Sequence, residues 1–73
     1  MKNIVLCSIY DLVSAEYSMP ICFNNIDCAK RYFQQLKSKN PNYTDLELYY
    51  IGEYNNSTAE ILCCEKVLLM RGE

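Results

Sequence analysis

Seventy-three residues leave room for one domain, 1–73, at a size where a single core supplies about 3–5 kcal/mol at most, so further stabilisation is expected. The formal net charge of -2, nine acids against seven bases, excludes a polycation drawn to nucleic acid by overall charge; such binding has to come from a local patch. With no histidine and only two glycines, a Ser-His or Cys-His pair and a glycine-rich phosphate loop are excluded, and no enzyme is expected.

The start, MKNIVLCSIYDLV, sets Lys2 ahead of an apolar run, but Ser8 and Asp11 interrupt it and no small-residue cleavage site follows. A strand is expected there rather than a signal peptide. Ile4, Leu6 and Tyr10 fall on one alternating face and Val5, Cys7 and Ile9 on the other, as in a strand with neighbours on both sides. After a turn at Asp11 to Ala15, Tyr17, Met19, Ile21 and Phe23 alternate with Ser18, Pro20 and Cys22, predicting a second strand. Pro20 cannot donate a ladder hydrogen bond, so that strand belongs at a sheet edge.

Asn24-Asn25 can cap a helix whose apolar residues Ile26, Ala29, Phe33 and Leu36 recur at spacings of three and four, with Tyr32 beside the stripe. Asp27 near its start and Lys37 and Lys39 near its end suit the helix dipole, and Asn40-Pro41 stops it. A hairpin follows, with strands at about Leu46 to Tyr54 and Ala59 to Cys64 around an Asn55-Asn56-Ser57-Thr58 tip. The apolar tail Val67-Leu68-Leu69-Met70 either extends the last strand or packs on a partner subunit. Strand, strand, helix, strand, strand predicts an α+β fold, ββαββ, with a four-stranded antiparallel sheet in order 2-1-3-4 and the helix on one face.

No apolar stretch approaches the roughly 18–20 residues that span a bilayer, so no membrane partner is expected. Asn-x-Ser/Thr matches at Asn42, Asn55 and Asn56 read as turn chemistry. Five cysteines, Cys7, Cys22, Cys28, Cys63 and Cys64, are odd in number and contain no Cys-x-x-Cys knuckle. Reduced thiols are expected, with no metal and no cofactor. Cys28 sits where a helix dipole could lower its pKa, but no base accompanies it, and a small semi-buried residue is expected. Glu47 and Glu53, six residues apart on one strand, lie roughly 20 Å from each other, too far for paired acid/base work.

The seven tyrosines raise the question of base stacking. By strand parity Tyr49 shares a face with Glu47, Ile51 and Glu53, and carboxylates flanking a ring repel phosphates. That face, with Val5, Cys7 and Ile9, is expected to be a homodimer interface with an acidic rim, extended by Val67 and Leu69 of the tail. For nucleic acid the expected surface is the outside of the helix and its exit, Lys30, Arg31, Lys37 and Lys39, which could contact phosphates without reading sequence. A solvated helix face is the alternative.

At Ser8-Ile9-Tyr10-Asp11, at Met19-Pro20-Ile21 with Asn24 and Ala29-Lys30-Arg31-Tyr32-Phe33, and above all at Leu48-Tyr49-x-Ile51-Gly52-Glu53-Tyr54-Asn55, the chain resembles a known family. It is similar, over nearly its whole length, to the small nonstructural protein of gokushovirus-type microviruses, bacteriophages with circular single-stranded DNA genomes. The tip departs from the family, which tends to show an acidic residue and later Thr-Gly where this chain has Thr58-Ala59. The resemblance implies a nonvirion accessory protein in the cytoplasm of the bacterial host, acting around genome replication or packaging and binding DNA. It brings no catalytic motif. Two functions remain open: a protein that binds single-stranded DNA or the replication machinery, and an interaction module for a viral or host protein with no nucleic-acid contact.

Overall fold

The computed structural model describes residues 3–72; Lys2 lies outside the described residues. Strand β1 (Asn3–Asp11) is paired antiparallel on both sides, as its two apolar faces require. On one side it meets two short strands, β2 (Glu16–Tyr17) and β3 (Ile21–Phe23); on the other it meets β4 (Leu46–Asn55), which pairs with β5 (Glu60–Arg71). One helix, α1 (Ile26–Lys39), connects β3 to β4. The sheet therefore has five strands in the order β2-β1-β4-β5, with β3 also on β1, where four in the order 2-1-3-4 were expected.

The fifth strand comes from a break in the expected second one. Pro20 has no N–H to give, and Ser18 takes over the ladder: its N–H donates to the Ile9 carbonyl at 2.7 Å and its Oγ accepts from the Ile9 N–H at 3.0 Å. Ser8 Oγ donates in turn to the Ser18 carbonyl at 2.9 Å. Met19 and Pro20 loop outward, so Tyr17 lies opposite Tyr10 while Ile21 and Phe23 lie opposite Cys7 and Val5 on the other face. The single apolar face proposed for Tyr17, Met19, Ile21 and Phe23 does not exist.

Helix α1 forms as its sequence dictates. Asn25 Oδ1 accepts from the Cys28 N–H at 2.8 Å, and the last turn closes through the Asn40 N–H on the Leu36 carbonyl, one residue before Pro41. Ala29 and Phe33 are fully buried against Cys7, Leu46 and Leu48, with Val5, Ile9, Phe23, Leu36, Leu69 and Met70 packed around them. A 3-10 turn, Tyr43–Asp45, folds Tyr43 under the helix with its ring 5.1 Å from that of Phe33. The tail extends β5, and the Gly72 N–H closes it on the Leu46 carbonyl at 2.8 Å. Among the described residues no helix is long and apolar enough to cross a membrane.

Two turns use the same device. Asp11 Oδ1 accepts from the Val13 N–H and the Ala15 N–H donates to the Asp11 carbonyl; Asn55 Oδ1 accepts from the Ser57 N–H and the Ala59 N–H donates to the Asn55 carbonyl. Both turns close on an alanine in the left-handed region, Ala15 at φ 57° and Ala59 at φ 62°.

Candidate nucleic-acid interface

Antiparallel partners project from the same side of a sheet, so the ladder registers assign each paired residue to the helix-covered face or the bare one. Leu6 pairs with Gly52 but Cys7 pairs with Tyr50, leaving Ile51 as an extra residue. This bulge carries Glu53 to the helix side, where it joins Tyr50; the two lie opposite Val5 and Cys7, and the Tyr50 hydroxyl donates to Glu53 Oε2 at 3.0 Å. Burial, then that hydrogen bond, raise the Tyr50 pKa. Gly52 is needed at the bulge, with φ 153° and the Leu62 carbonyl where a Cβ would stand.

The expected dimer face is corrected accordingly. Cys7 is 0 % exposed beneath α1, with Val5, Ile9 and Leu69 packed against the same core, so these four are covered by the chain's own helix. Burial pushes the Cys7 thiol up to about 11. Tyr49 and Ile51 do lie on the bare face, and Val67 is exposed on β5, opposite Tyr50.

The helix separates the four proposed phosphate contacts. At about 3.6 residues per turn, Lys30 and Lys37 stand about two turns apart on one flank of the buried stripe, Arg31 points away from the sheet, and Lys39 lies on the opposite flank. Lys30 is half-buried and the other three are exposed; among the described residues none of the four forms an ion pair.

Strand parity hid what gathers on the bare face. Tyr10 and Tyr17 pack across the β1–β2 pair at a 46° tilt with ring centroids 4.6 Å apart, and Tyr17 meets Tyr49 edge-on at 5.8 Å. The β4–β5 ladder steps from Gly52 opposite Cys63 to Tyr50 opposite Val67, and the slack brings Lys66 over the cluster, its Nζ 5.5 Å from the Tyr17 centroid and 5.8 Å from that of Tyr49. The Tyr17 hydroxyl beside it, by hydrogen bonding, raises the Lys66 pKa. Glu47, the carboxylate left beside Tyr49, accepts from the Tyr49 hydroxyl at 2.9 Å and pairs with Arg71 at 3.3 Å. The bond to Glu47, then burial, hold the Tyr49 phenol above the usual tyrosine range.

The five thiols are free, Cys7 buried, Cys28 half-buried and Cys22, Cys63 and Cys64 exposed; among the described residues no acidic or thiol side chains group as a metal ion requires. No curated protein and no solved structure matches the chain. A family model does, that of the Phage ORF5 protein, over residues 4–73: the chain belongs to this bacteriophage protein family.

Proposed function

We propose that the chain is a nonenzymatic phage protein that binds single-stranded DNA, or the machinery handling it, while the viral genome is synthesised or packaged in the host cytoplasm. Membership of the Phage ORF5 family supports a phage role, and the likeness to the microvirus nonstructural protein supports single-stranded DNA as ligand. The carrying observation is Lys30 and Lys37 on one flank of α1 with Arg31 beside them, outside any ion pair among the described residues and so available to phosphates. Lys39, on the other flank, takes no part in that group.

Anisotropy of a labelled single-stranded oligonucleotide, titrated at low and moderate salt, tests this. Binding weakens steeply with salt, and the double variant Lys30→Glu, Arg31→Glu binds more weakly with a logarithmic salt slope shallower by about two. Absence of binding by the wild-type protein at low salt ends the proposal.

The second reading, an interaction module without DNA contact, is favoured by β5. It is an edge strand of 12 residues that exposes Ile61, Leu62, Val67 and Leu68, a surface suited to strand addition by another chain. Its charges, Glu60, Glu65, Lys66 and Arg71, are of mixed sign.

A further inference from the structure

Three tyrosines, one from each of β1, β2 and β4, meet on the bare side of the sheet, and β5 contributes the cation above them. Beside them lies an open cavity of about 310 Å³ lined by Ser8, Tyr17, Ser18, Pro20, Ile51 and Lys66. We propose that this cradle is a binding site for an unpaired nucleobase, stacked on the Tyr17 ring with Tyr49 against its edge, with Lys66 moving from the ring faces to the adjoining phosphate. The proposal rests on the single-stranded DNA reading and adds where a base, rather than the backbone, is held.

Four features favour this occupant. The rings are continuous and reachable, Tyr17 being 45 % exposed at the sheet edge. The cavity wall sets Pro20 and Ile51 beside the Tyr17 ring, an apolar slot suited to the face of a base. Around the cradle stand Lys66 and the paired Glu47 and Arg71; Glu53, which would have repelled a phosphate, has been carried to the other side by the Ile51 bulge. Ile61, Leu62, Val67 and Leu68 line the open β5 edge, which gives a second copy a place to add that does not need the cradle.

The cradle and the α1 cations sit on opposite sides of the sheet, which makes their contributions separable. The probes are an oligothymidylate about a dozen nucleotides long and an abasic strand of the same length, with tyrosine emission and anisotropy as readouts. Wild-type protein binds the base-bearing strand at least about tenfold more tightly, and the difference persists at moderate salt where phosphate-only binding fades. Tyr17→Leu and Tyr49→Leu each shrink that difference several-fold, Tyr17→Phe retains it, and thermal melts report whether each variant is folded. Equal binding of the two strands overturns the cradle while leaving the DNA reading intact, through the α1 cations. Failure to bind either strand overturns both. A dimer that Tyr49→Leu dissociates overturns the cradle in favour of a second copy on this face.

Discussion

Cys7 shows how one buried group sets a pH limit on the fold. Its thiol is raised from 9.0 to about 11 by burial under α1, so between those values the unfolded chain releases a proton that the folded chain keeps. The stabilisation is complete below about pH 9 and is lost as pH rises through about 11, a change of about 2–3 kcal/mol. Urea melts across this range should show the wild type losing stability more steeply than Cys7→Ala; the same slope in both would remove the thiol as the cause. Tyr49 and Tyr50, raised in the same direction, act alike in both proteins and cancel in the comparison. Gly52 is the other decisive residue: a methyl group there meets the Leu62 carbonyl at φ 153°. We expect Gly52→Ala to cost about 1–3 kcal/mol in the same melts.

Among the elements, the paired turns carry the clearest prediction. Ala15 and Ala59 hold positive φ that glycine adopts without steric cost. Ala15→Gly and Ala59→Gly should each stabilise by about 0.5–1 kcal/mol, additively because the turns are far apart in the structure; a loss at either site would mean that the turn is not strained there. The helix was legible because its determinants are local: the Asn25 cap, the Ala29-Phe33-Leu36 stripe and Pro41 all act within a few residues. Which side of the sheet each strand residue occupies was not. Counting by twos assumes an unbroken strand, and one extra residue at Ile51 moved Glu53 to the helix side, while the Ser18 break separated Tyr17 from Ile21. Lys66 above the tyrosines had no local signal at all, since it depends on a bulge in one strand aligning with a ring from another. Tyr43 was missed for a related reason: it lies in a short 3-10 turn outside any periodic stretch.

At the scale of the molecule, the chain lays one helix on one side of its sheet and leaves β5 as an unpartnered edge. We propose that two copies pair along this edge, which would extend the sheet and leave both tyrosine clusters open. Light scattering behind size exclusion should then give a mass that rises with concentration, and Leu62→Lys with Val67→Lys, both at exposed positions, should hold the protein as a folded monomer. A concentration-independent monomer in the wild type would rule the pairing out. The core around Cys7, Phe33 and Leu48 draws on none of residues 53–68, so the far arm of the β4–β5 hairpin is held by its ladders and by contacts such as Tyr50–Glu53 and Lys66 over the tyrosines rather than by core packing. Backbone protons in that arm will therefore trade with heavy water long before those of β1 beneath the helix, and the protein will come apart from its hairpin end inward.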